Sequence, residues 1–129
     1  MGQSTDGILV FGIECGEDEY PEFMEGFDDF DGYLDSLSGM PQWGEPGHDF
    51  SASRAFREAV PADMVTHCSL DYPMYILAVR GTEISASRGY VKEIETLDVD
   101  QARLAAFKTW CAERGITDEP KWLLCSLWA

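Results

Sequence analysis

The chain opens with a polar lead-in over residues 2–7, followed by the apolar run Ile8, Leu9, Val10, Phe11 and Ile13, interrupted only by Gly12. A run this short and this apolar predicts a buried strand, and Gly12 inside it marks a bulge or a close backbone approach. Next, Tyr20, Phe23, Phe27, Phe30, Leu34 and Leu37 recur at alternating steps of three and four, with Met24 beside them. That period predicts a helix from Pro21 to Leu37, with Pro21 in the first turn and Glu22 and Glu25 near its positive end. Gly26 and Gly32 oppose it, each by about 1 kcal/mol relative to Ala, and Gly32 is the place to expect a break. On such a helix the aromatics face the core and the carboxylates face water.

Gly39, Pro41, Gly44, Pro46 and Gly47 make residues 38–49 a loop that carries Trp43, either as a lid over the core or as an exposed anchor. A short helix is expected from Ser51 to Ala59, stopped by Pro61. Strands follow at Met64–Leu70 and Met74–Arg80, and Gly81-Thr82 predicts a tight hairpin into a partner strand starting at Glu83. The stretch from Tyr75 to Tyr90 is expected at the centre of an antiparallel sheet. A helix over Val99–Arg114 has Asp98 as its cap, with Gln101 completing a capping box and Gly115 beyond its end. Leu104, Phe107 and Cys111 form its core stripe, flanked by Ala105 and Trp110. Trp122–Trp128 reads as a last strand. The absence of βαβ alternation gives the fold class α+β: a mainly antiparallel sheet of four to five strands packed with two or three helices, in a single domain over 1–129.

Charge changes this picture most in the first half of the chain. Residues 1–53 hold thirteen acids and no base, whereas residues 54–129 hold eleven acids and nine bases, within a net charge of -15. Ten of the acids fall between Glu14 and Asp35, in a segment set at about 14–37. That field repels nucleic acid and anionic membrane and draws in basic surfaces. Acidity can also serve solubility alone. With 45% apolar residues, the chain still has enough material for a core.

The sequence offers no chemistry that withstands inspection. Cys15, Cys68, Cys111 and Cys125 show no paired spacing, which predicts buried free thiols in a reducing cytoplasm, and no secretory or membrane-spanning run is evident. Asp29-Phe30-Asp31-Gly32 resembles a calcium loop, but the first and twelfth positions fall on Phe27 and Ser38, which leaves two ligand positions without their carboxylates. His67 and Cys68 are adjacent on a strand and so point to opposite faces, giving a buried cysteine beside a surface histidine. Arg80, Arg88 and Lys92 lie near Ser85, Ser87 and Gly89 without a phosphate-binding loop, and they read as partners for the excess acids.

The segments Ser4-Thr5-Asp6-Gly7-Ile8-Leu9-Val10-Phe11-Gly12, Asp71-Tyr72-Pro73-Met74-Tyr75-Ile76-Leu77-Ala78-Val79, Ser87-Arg88-Gly89-Tyr90 and Trp122–Trp128 make the chain resemble a group of small acidic proteins of tailed bacteriophages. The resemblance implies a phage product at work in the host bacterial cytoplasm. It implies no activity, and the acidic stretch lies outside the matching segments.

Within that setting the acidic stretch predicts a non-enzymatic inhibitor that imitates DNA or RNA and blocks a host nucleic-acid-binding enzyme, such as a restriction, CRISPR or transcription component. As a helix, Glu14–Asp35 would span about 33 Å with a charge every 3.3 Å or so, against about 3.4 Å between phosphates along one DNA strand. The candidate contact residues are Glu17, Asp18, Glu19, Glu22, Glu25, Asp28, Asp29, Asp31, Asp35 and Trp43. The partner would be a basic protein surface. No cofactor, no metal, no direct contact with nucleic acid and no membrane are expected, and the protein would be a monomer or homodimer. The alternative is a phage accessory or assembly module that binds through the Trp43 loop or a sheet edge, its acidity incidental.

Overall fold

The computed structural model describes residues 5–17, 20–42 and 44–128. It shows an α+β domain with five strands in one mixed, mostly antiparallel sheet: β1 (Thr5–Glu17), β2 (Ala62–Ser69), β3 (Pro73–Val79), β4 (Ile84–Ser87) and β5 (Lys121–Trp128). Three α-helices accompany it, α1 (Phe30–Ser38), α2 (Phe50–Ala59) and α3 (Gln101–Ala112).

The centre of the sheet is β1, not the stretch from Tyr75 to Tyr90. One edge of β1 pairs with β5 from Thr5↔Trp128 to Gly12↔Lys121. Its other edge pairs with β4 at Asp6–Leu9 and then with β3 from Gly12 to Glu17. Because β2 pairs with β3 along its length and touches β5 in parallel at Cys68↔Leu127 and Ser69↔Trp128, the four strands β1, β3, β2 and β5 form a closed circuit. The expected hairpin at Gly81-Thr82 is therefore absent: β3 and β4 run in the same direction along one edge of β1. Where they part, the Thr82 hydroxyl accepts from the Phe11 N–H and donates to the Val79 carbonyl, filling the gap in the ladder.

Alternation along the strands sorts two cores. Ile8, Val10, Val65, Ile76 and Ala78 pack with Leu123, Cys125 and Leu127 on one face. On the other face Phe11, Ile13, Cys15, Leu77 and Val79 meet Phe30, Tyr33 and Leu34 of α1 and Phe107, Trp110 and Cys111 of α3. Gly12 sits where β1 leaves β5 for β3, and it is a close approach; the register shift that marks a bulge lies between Glu14 and Gly16.

The caps explain the helix boundaries. Asp100, not Asp98, caps α3 by accepting from the Ala102 and Arg103 N–H groups, while the Gln101 amide turns to the Val99 carbonyl, so no capping box forms. Gly115 takes the left-handed conformation (φ 80°) as expected beyond the helix end. On α3, Trp110 is core and Ala105 is exposed, the reverse of their expected shared place on the flanks.

All four cysteines are free thiols, but only Cys111 is buried as expected; Cys15, Cys68 and Cys125 are half-buried. Burial pushes Cys15 up to about 11, only partly offset by a backbone hydrogen bond at Leu77. Burial likewise lifts Cys111 to about 11 against the pull of Arg114. In the unfolded chain both would ionise near 9.0, so between pH 9 and 11 the folded state holds more protons and stability falls as pH rises. We expect the urea midpoint to drop across that window. A disulfide reagent at pH 8 should reach Cys111 only at the unfolding rate; rapid labelling of Cys111 in the native protein would contradict its burial.

Candidate functional site

The aromatic period of residues 20–37 proves to be two pieces rather than one helix. Glu22–Met24 form a single 3₁₀ turn, Gly26 turns left-handed (φ 92°), and α1 starts only at Phe30. The break comes at Gly26 and Asp29, not Gly32. Asp29 is extended (φ -152°) and its Oδ1 accepts from the Gly32 N–H at 2.7 Å, a cap that initiates a new helix more favourably than the backbone of Gly26 could continue an old one.

Both pieces turn their rings into one cluster. Phe23 lies 4.9 Å from Tyr33 and edge-on to Trp110 at 5.5 Å, Phe27 is edge-on to Tyr33 at 5.2 Å, and Phe30 meets Trp110 at 6.0 Å. Arg114 closes the cluster: its guanidinium carbon lies 3.7 Å from the Trp110 ring centroid, Nε donates to the Tyr33 hydroxyl, and Nη1 donates to the Trp110 carbonyl. Such contacts add to apolar burial and fix ring orientations. Leu37, expected on the same stripe, is exposed because α1 is ending there.

Over this cluster Glu22, Glu25, Asp28, Asp29 and Asp31 are all exposed, and none joins an ion pair among the described residues. A shallow hollow beside them is lined by Asp29, Asp31 and Tyr20, and by Asp63 from β2, an acid that only the tertiary structure brings near. Tyr20 stacks on Tyr75 at 4.2 Å. Burial, then the Tyr75 hydroxyl and the Asp29 charge, push the Tyr20 phenol up to about 12, so it stays a neutral donor at the edge of the acidic surface.

Asp35 departs from the expectation that it faces a partner. It is buried, and both its carboxylate oxygens accept from Arg57 Nη1 of α2, at 3.2 and 3.4 Å. A carboxylate on the inner side of α1 needs that partner, and the pair ties α1 to α2. The Glu17 side chain, Asp18, Glu19 and Trp43 lie outside the described residues. The described exposed acids of this stretch are Glu14 on β1 and Glu22, Glu25, Asp28, Asp29 and Asp31 around the 3₁₀ turn and the start of α1, so they do not lie along one continuous helix.

His67 also reverses its expected place. It is buried on the same face of β2 as Val65 and Ser69, while Cys68 is half-buried and left-handed (φ 73°). Among the described residues His67 Nε2 has no hydrogen-bond partner, and burial lowers its pKa despite the opposing charge of Glu14. Among the described residues no group of three or more His, Cys, Asp or Glu could hold a metal ion, and no helix is long and apolar enough to cross a membrane.

Comparison of the chain with protein-family models, curated proteins and solved structures finds no match in any of the three. The class that its own residues define is a single α+β domain with exposed carboxylates from Glu22 to Asp31.

Proposed function

We propose that this chain is a phage inhibitor that occupies a basic, nucleic-acid-binding surface of a host protein, its carboxylates standing in for phosphates. One observation carries the reading: five exposed carboxylates between Glu22 and Asp31 are mounted on an aromatic cluster locked by Arg114, instead of trailing on a solvated tail. Holding like charges together costs repulsion, and a rigid scaffold that maintains them gains most when a cationic partner neutralises them. Preorganisation also spares the complex the ordering entropy that a flexible acidic tail would lose on binding.

The test is to immobilise the protein, pass bacterial lysate over it and elute with rising salt and with added duplex DNA. A nucleic-acid enzyme that leaves early in the gradient and is displaced by the DNA supports the reading. Changing Glu22→Gln, Glu25→Gln, Asp28→Asn and Asp31→Asn together should weaken binding of that enzyme about a hundredfold, at about 0.7 kcal/mol for each charge removed. Asp29 and Asp35 are left alone because one caps α1 and the other pairs with Arg57, so the fold is retained. Unchanged affinity in the fourfold variant would sink the proposal.

A second reading rests on the opposite part of the sheet. Leu9 pairs with Ile84 on one side and Leu124 on the other, and Leu124 and Trp128 are exposed, making an apolar strip on the sheet. An accessory module binding there would hold its partner at high salt.

A further inference from the structure

Away from the acidic patch, a cleft of about 390 Å³ opens between the α2–β2 junction and α3, lined by Val60, Pro61, Ala102, Ala106, Arg80 and Arg103, with Glu58 also on its wall. Its size falls in the range of small-molecule sites, and its walls are mainly apolar with few polar groups converging on them. The space exists because α3 presents alanine at positions 102 and 106, one turn apart on the same face. Any large side chain at either position would fill it.

The two arginines have different duties. Arg80 is committed to the fold: Nε donates to the Val60 carbonyl at 2.8 Å, Nη2 to the Ala62 carbonyl at 3.0 Å, and Nη1 faces Asp63 at 3.8 Å. Arg103 is held but not consumed. Its one side-chain hydrogen bond among the described residues is a long donation from Nη1 to the Arg80 carbonyl, 3.4 Å, and it joins none of the ion pairs. Gly81 makes that seat: it is left-handed (φ 87°), and a Cβ there would collide with Arg103 Nη1. A guanidinium seated on a glycine turn, with most of its donors unspent, is a ready fork for a carboxylate or phosphate. At the α3 N-terminus the Ala102 and Arg103 N–H groups are already taken by Asp100.

We infer that this cleft binds a small molecule carrying an oxyanion on an apolar body, with Arg103 as the anion anchor and Val60, Pro61, Ala102 and Ala106 as the apolar walls. The site is independent of the acidic patch, so its failure and that of the inhibitor reading are separable.

The experiment is a titration of the full chain followed by amide NMR, with phenylacetate, phenyl phosphate, inorganic phosphate and phenethylamine as separate probes. Phenylacetate or phenyl phosphate should shift the Ala102, Arg103 and Ala106 amides saturably, and the tighter of the two identifies the oxyanion. Arg103→Gln should weaken that binding about tenfold or more with little change in thermal stability. Ala106→Phe should abolish it by filling the cleft while leaving the charge in place. No saturable shift with either aromatic oxyanion, an equal response to phenethylamine, or full binding by Arg103→Gln would each overturn the site. Inorganic phosphate binding as tightly as phenyl phosphate would overturn the apolar half of the assignment.

Discussion

Gly12→Ala is expected to destabilise the protein by about 3 kcal/mol or more, lowering the thermal midpoint by about 10 °C. A Cβ at this position would stand 2.5 Å from the Leu77 carbonyl oxygen, 2.8 Å from the Ala78 Cα and 3.0 Å from an Ile76 methyl group. Two of those three neighbours are backbone, so rotamer changes cannot relieve the clash; β1 and β3 would have to move apart. That crossing is where β1 leaves one partner for another, and separating the strands there opens the circuit between the two cores. Gly7→Ala is the control on the same strand. A Cβ there meets only the Ala86 carbonyl, at 3.9 Å, so its cost should be small. Urea unfolding of both variants decides the matter, and near-equal midpoints would show that the close approach carries no weight.

Phe107→Ala should cost about 3–5 kcal/mol, the range for emptying a fully buried aromatic site. The effect is large because α3 has few anchors: Phe107, Trp110 and Cys111 are its only buried residues, while Ala102, Ala105 and Ala106 are exposed. Losing Phe107 therefore loosens the docking of the whole helix. Two sites hang on that docking, since α3 supplies Arg103 to the cleft and Trp110 to the cluster beneath the acidic patch. The variant should thus lose near-ultraviolet dichroism from its rings along with stability. A change of less than about 1 kcal/mol would mean that Trp110 and Cys111 suffice to seat α3.

The acidic patch shows how local chemistry can override a good pattern. The steps of three and four from Tyr20 to Leu37 are those of a helix, and the rings do share one cluster. The chain reaches that cluster through a 3₁₀ turn, a left-handed Gly26 and a fresh start at Asp29, because a strong cap and a permissive glycine cost less than a continuous helix through two glycines. Asp35 was legible only as a carboxylate at helical spacing; that it faces inward depends on Arg57, twenty-two positions further along the chain.

The sequence by itself determined the local features: the apolar β1 run, the breaks in the loop over 38–49, the position of α2, the left-handed Gly115, the α+β class and the concentration of acid in the first half. These follow from periodicity, glycine and proline geometry, and charge, all of which act over a few residues. Only the tertiary structure decided which strands meet: that β1 occupies the centre, that Gly81-Thr82 continues an edge instead of reversing it, that His67 is buried, and that Arg80 and Arg103 converge on one cleft. Strand partners are chosen by burial of whole faces across long separations, and no window of sequence contains both faces.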